Sequence, residues 1–296
     1  MKTTIKMSCL AAIFITGMIS ISCKKGSKDL TNEESGIQSH NIKREPGPWD
    51  RIFADDFSTN LNNWTKANRA DYNSAICLYD PSVPSIDNYD SRSVLVLAAT
   101  ANGRSYKSGH VKSNFSFKPQ VNEEYRVSAS IKLVAVEGTT WKDFSQTYGA
   151  WPAFWTVQEN SWPAQGEIDI VEAYSYGDHA KYASNLFYGT PNNNQLGNTC
   201  ERSYNVGSDW HVYDEYWKNE NGNVTLTIQL DGVTVSTYTN AVNDNLKLQN
   251  FGPHNIVFNL NIGSNTNLGI FNNSLIKLFS KTMMWVDYVT VDKRTL

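Results

Sequence analysis

The stretch Gly166-Glu167-Ile168-Asp169-Ile170-Val171-Glu172 ("GEIDIVE") places three carboxylates within six residues of an otherwise apolar, strand-forming run. Alternate residues of a β-strand point to opposite faces, so Glu167 and Asp169 share a face and Glu172 should point away. A β-bulge resolves the conflict. One extra residue around Ile170-Val171 switches every later side chain to the other face, and Glu172 then joins the first two acids. Bulges are over-represented beside active sites, where they re-aim a side chain.

Three acids in line on one sheet face suit glycoside hydrolysis, which needs one carboxylate as nucleophile and one carboxylic acid to protonate the leaving oxygen. In the retaining mechanism that pair lies about 5–5.5 Å apart. The charge of the middle acid helps keep the outer one protonated and orients the nucleophile. The same spacing also suits a calcium site or a solvated acidic edge, and spacing alone does not separate these readings.

Outward from this stretch the chain reads as strands. In "EYRVSASIKLVAV", Val127, Ala129, Ile131 and Leu133 face one way, while Arg126, Ser128, Ser130 and Lys132 face the other. "NVTLTIQLDGVTVSTYT" is a hairpin turning at Asp231-Gly232, with Val224, Leu226, Ile228 and Leu230 on its inner face. "NIVFNLNIG" and "MMWVDYVTVD" add strands near the C-terminus, and no stretch has a convincing amphipathic helical period. The expected fold is all-β, a jelly-roll sandwich of two curved antiparallel sheets of the concanavalin-like type.

The N-terminus is a targeting segment. Lys2 and Lys6 precede an apolar run, residues 7–22, that is short for a membrane span. Ser20-Ile21-Ser22-Cys23 resembles the lipobox of bacterial lipoproteins, in which the Cys becomes the acylated first residue, although Ser20 stands where Leu is commoner. The expected organisation is a lipoprotein signal peptide over 1–22, a lipid-anchored polar tether over 23–48, and a catalytic domain over 49–296. An ordinary secretory signal with a chance Cys is the alternative. Both export the protein; the lipid would hold it to the bacterial envelope, and Lys24 in place of Asp after the Cys favours the outer membrane.

Of the remaining cysteines, Cys9 leaves with the signal, while Cys77 and Cys200 sit in polar, loop-like surroundings of an oxidising compartment. They form a disulfide or remain two free thiols. No Cys or His spacing suggests zinc. A net charge of −3 gives no reason to expect nucleic acid, and nothing requires more than a monomer. The 9 Trp, 15 Tyr and 12 Phe are enough to line a sugar cleft as well as a core.

The flanks of the acidic stretch decide among its readings. "WPAFW" (Trp151 to Trp155) followed by "WPAQGEIDIVE" (Trp162 to Glu172) closely resembles the signature of glycoside hydrolase family 16: Trp-Pro-Ala-x-Trp, a short loop, then Gly-Glu-x-Asp-x-x-Glu with a bulge. Looser anchors are "FADDF" near the start, "WHVYDEYW" from Trp210 to Trp217 and "WVDYVTVDK" from Trp285 to Lys293. The resemblance implies a curved jelly roll with a substrate cleft on its concave sheet. It also implies Glu167 as nucleophile, Asp169 as assisting acid and Glu172 as general acid/base. Trp151, Trp155 and Trp162 resemble the cleft aromatics of the family; core packing is the alternative for each.

The bulged form resembles laminarinase-type members, implying an endo-β-1,3- or β-1,3-1,4-glucanase acting on polysaccharide without a catalytic cofactor. Bulged relatives also act on galactans and host O-glycans, and some family-like proteins only bind glycans. Here Phe187 stands where members often carry His, and "NIGSNTNLG" replaces a common Asn-Trp-Pro-Gly segment. The family often holds a structural calcium, for which Asp287 and Asp56 are the matching acids; surface capping or salt bridging is their alternative role.

Overall fold

The computed structural model describes residues 47–74, 76–190, 195–197, 202–204 and 209–296. The targeting segment, Cys23, all of the tether before residue 47, and Cys200 lie outside these residues. So does the question of a Cys77–Cys200 bridge.

Two sheets make up the described chain, one of twelve strands and one of eight. The larger runs from Val233–Thr239 through Asn223–Leu230, His211–Glu220, Glu123–Glu137, Lys281–Thr295 and Arg92–Asn102 to three short strands. The smaller is ordered Gln195–Gly197, Ala180–Phe187, Glu167–Ser175, Ala150–Val157, His254–Ile262, His110–Phe117 and Trp64–Lys66, with Arg202–Tyr204 also on Ala180–Phe187. Pairing is antiparallel except where Cys77–Tyr79 runs parallel to Ser105–Ser108. Helical structure among the described residues is confined to short 3-10 turns.

The alternation in Glu123–Glu137 positions the core. Val127, Ala129, Ile131 and Leu133 are buried between the sheets against a cluster that includes Phe154, Ile168, Phe258 and Leu260 of the facing sheet. Past Leu133 the outward positions are apolar too. Val134 and Val136 join Val94, Val96, Met283 and Trp285 in a second buried cluster on the outer face, where the Tyr89 ring stacks on Trp285 at 4.0 Å. The Asp231-Gly232 turn has φ of 51° and 76°, the left-handed pair that a two-residue hairpin needs. Cys77 differs from the loop-like setting expected of it. It is fully buried on a strand, and burial together with the charge of Asp71 pushes its thiol up to about 12.

The acid-bearing strand, Glu167–Ser175, lies near the middle of the smaller sheet. Trp155 pairs with Asp169 and Phe154 with Val171, so Ile170 is the extra residue. On the other side Asp169 opposes Asn185 and Glu172 opposes Ala183, the same shift. Ile168, Ile170, Val171 and Ala173 all enter the core, and Glu172 is thereby turned to the face of Glu167 and Asp169.

Candidate active site

Glu167, Asp169 and Glu172 line one cavity of about 400 Å³ on the outer face of the smaller sheet. Asp169 is buried, while the two glutamates remain partly accessible from the cavity. Trp151, Trp155 and Trp162, expected to line a cleft, line this one. Their indole N–H groups hold the site's polar atoms. Trp162 Nε1 donates to Glu167 Oε2 at 2.9 Å, Trp151 Nε1 to Glu172 Oε1 at 2.8 Å, and Trp155 Nε1 to Asn259 Oδ1 at 2.7 Å. Trp151 is packed against Tyr174, whereas Trp162 is 43% exposed and offers ring surface to a ligand. Phe187, at the position where the family resemblance implies a His, lines the cavity beside Trp162, with ring centroids 5.6 Å apart.

The three acids are electrostatically one unit. Burial is the main force pushing each upward. Glu167 is raised to about 8 by burial and the charge of Glu172, opposed by the Trp162 donor. At Asp169 burial and the charges of both glutamates all push upward, with no donor offsetting them. Glu172 is raised by burial against donors from Asn185, Trp151 and Tyr174. The hydrogen-bond donors therefore favour negative charge on the glutamates over Asp169, against the expectation of a charged middle acid. Mutual repulsion then favours one ionised and one protonated glutamate near neutral pH, titrating as a pair. Retaining hydrolysis starts from that state with the charge on Glu167, whose raised value makes this form grow as pH rises toward about 8.

Several contributors were not legible from the acidic stretch. Asn185 donates through Nδ2 to Glu172 Oε2, and Tyr174 follows Glu172 by two residues on the same strand face. Register alone would have found both. Asp71 enters from a loop following the short strand Arg69–Ala70, accepting from Tyr79 Oη at 2.5 Å, and its charge raises Glu172 further. His110 lines the same cavity; both its ring nitrogens are buried without a partner among the described residues. Burial pushes it down to about 3, so it is a neutral imidazole.

Both acids matched to a structural calcium bind protein groups. Asp287 is paired with Arg92, and the exposed Asp56 accepts the Ser58 N–H at 3.1 Å within its own turn. Among the described residues no group of three or more His, Cys, Asp or Glu is arranged to hold a metal ion.

Residues 140–245 match the profile of the XgeA-like, catalytic GH16 domain. The Bacteroides ovatus mixed linkage glucan PUL GH16, solved in complex with a G4G4G3G product, is 27% identical with a TM-score of 0.62, over 81% of this chain and 99% of that one. A family 16 endo-glucanase from Bacteroides ovatus, in complex with G4G3G-2F-DNP, is 26% identical at TM-score 0.62 over 81% and 99%. The endo-1,3-β-glucanase of Streptomyces sioyaensis shares the fold at TM-score 0.67 and 22% identity, over 84% and 99%. No curated protein sequence matches the chain. Fold and domain match together define the class: a glycoside hydrolase with the jelly-roll fold of these structures, in which residues 140–245 match a family 16 catalytic domain. Within that class the chain is similar to endo-glucanases.

Proposed function

We propose that this protein is a retaining endo-β-glucanase acting on β-1,3- or mixed β-1,3-1,4-linked glucan. Glu167 attacks the anomeric carbon and forms a covalent glycosyl-enzyme. Glu172 passes its proton to the departing glycosidic oxygen. Glu172, now ionised, takes a proton from water, whose oxygen displaces Glu167 and leaves the anomeric configuration unchanged. Asp169 lies between the two glutamates along the strand. The observation that carries this reading is the bulge at Ile170, which brings Glu172 onto the face of Glu167 and gives each glutamate its own indole donor.

The two Bacteroides ovatus relatives, a mixed linkage glucan GH16 and an endo-glucanase, support glucan as substrate. Charge supports an uncharged polymer. Among the described residues the cavity is lined by Asp71, Glu159, Glu167, Asp169 and Glu172 against the single cation Arg69, which disfavours sulfated or uronic chains. The leader and the Cys23 lipobox support export on a lipid anchor, with a tether over 23–48 leaving the enzyme free to meet polymer outside the cell.

A panel of laminarin, mixed-linkage glucan, agar-type galactan and mucin glycans, with mass analysis of products, tests the substrate. Oligosaccharides from the first two, lost in Glu167→Gln, are expected. Cleavage of galactan or mucin glycans alone would overturn the substrate. Binding without products would make the protein a glycan-binding module.

A further inference from the structure

Behind the acid-bearing strand, inside the core, lies a chain of polar groups that the reaction as described does not use. Glu215 is fully buried on His211–Glu220 of the larger sheet, among core residues that include Tyr213 and Trp217. Its Oε2 lies 2.9 Å from Thr156 Oγ1, on the hairpin strand before the acids. Thr156 Oγ1 lies 3.1 Å from His254 Nδ1. His254 Nε2 in turn lies 3.0 Å from the carbonyl of Gln165, which also accepts the Gly252 N–H at 3.0 Å. Gln165 is two residues before Glu167. The turn it ends carries Trp162, the donor to Glu167.

Donor and acceptor chemistry fixes the direction of this chain. A carbonyl oxygen only accepts, so His254 Nε2 carries a proton. Burial pushes His254 down to about 3, which leaves Nδ1 bare and accepting. The one hydroxyl proton of Thr156 must go to Nδ1. Thr156 Oγ1 can then only accept from Glu215, whose carboxyl must be protonated; burial pushes it up to about 8. Glu215 Oε1 has no partner among the described residues, as suits the carbonyl oxygen of a neutral acid better than a carboxylate. The opposite arrangement, imidazolium to Thr156 to carboxylate, would bury two full charges.

We propose that Glu215, Thr156 and His254 form an uncharged relay that ties the larger sheet to the Gln165 carbonyl and so positions Glu167 and its Trp162 donor for attack. These are positioning residues, and the inference rests on the proposed role of Glu167. The turn that carries this carbonyl is tightly packed. Gly166, between Gln165 and Glu167, has φ of +89° and packs so closely that a Cβ there would meet the Phe251 ring at 2.3 Å.

The test measures kcat and KM of the full chain on the glucan it hydrolyses, with near-UV circular dichroism as the control for fold. Thr156→Val is expected to lower kcat at least tenfold with KM within twofold, and Thr156→Ser to restore kcat. Glu215→Gln, which still donates an N–H, should keep wild-type kcat, while Glu215→Leu should behave like Thr156→Val. A folded Thr156→Val enzyme with wild-type kcat would overturn the inference. So would a Glu215→Gln enzyme as impaired as Glu215→Leu, which would require a carboxylate. Failure of both Thr156→Val and Glu215→Leu to fold would reduce the relay to a stability role and overturn positioning. A wild-type enzyme inactive on glucan would instead overturn the function proposed above.

Discussion

The indole N–H of Trp162 donates to Glu167 Oε2 at 2.9 Å across the mouth of the cavity. That bond favours the charged form of Glu167 against the burial that disfavours it. Trp162→Phe keeps ring surface and removes the donor, so it should leave Glu167 harder to ionise. Because attack needs the ionised form, the acid limb of the kcat/KM profile should move to higher pH. The rate at the optimum should fall about tenfold, corresponding to roughly 1.4 kcal/mol of barrier. An unmoved acid limb would argue against the donor's role.

The bulge is testable by adding to it. An Ala inserted after Val171 adds one more residue and, with the bulge unchanged, turns the carboxylate of Glu172 toward the core, where an unpaired charge costs several kcal/mol. Hydrolysis should be abolished and the melting temperature should drop. An insertion variant that folds and keeps its rate would show that strand phase does not set the place of Glu172 in the cleft.

The acid cluster also sets a pH dependence of stability. Glu167 has its folded value raised from 4.5 to about 8, so it binds its proton more tightly in the folded state. Its contribution is fully present below about pH 4.5 and is lost as pH rises through about 8. Between those limits the wild type should lose stability relative to Glu167→Gln, which cannot ionise. Parallel denaturation curves for the two across this range would contradict the assignment.

Asp287 paired with Arg92, and Asp56 bound to its own turn, predict no dependence on a cation through these residues. Removing divalent ions with a chelator should leave melting temperature and hydrolysis unchanged. A rise in melting temperature on adding calcium, lost in Asp287→Asn, would show that Asp287 leaves Arg92 to ligate the cation.

Gly166→Ala should destabilise the protein by roughly 1–3 kcal/mol, since a Cβ at φ +89° is strained and collides with Phe251. Chemical denaturation measures it. A neutral result would mean that the Gln165–Gly166 turn yields easily.

What could be read from the residues was whatever depends on local alternation. Val127 to Leu133 declared their inner face, Asp231-Gly232 its turn, and the position of Glu172 required a bulge where Ile170 forms one. Contacts across long sequence separations were hidden. Val134 and Val136 are apolar on the outer face because Tyr89 and Trp285 help cover them there. Asp71 and His110 meet the acids only through strand order. Cys77 looked loop-like because its three-residue strand is held by a parallel partner, Ser105–Ser108, with no local pattern of its own. Glu215 left a trace: in "WHVYDEYW" it shares strand parity with Tyr213 and Trp217, and a carboxylate at core parity marks a buried polar network.

The central claim is double displacement through Glu167. Its most direct test follows the anomeric protons by NMR during hydrolysis of laminarin or mixed-linkage glucan by the wild-type enzyme. The account predicts that the β-anomer of the new reducing end appears first and mutarotates later to the α-anomer. Initial release of the α-anomer would contradict it.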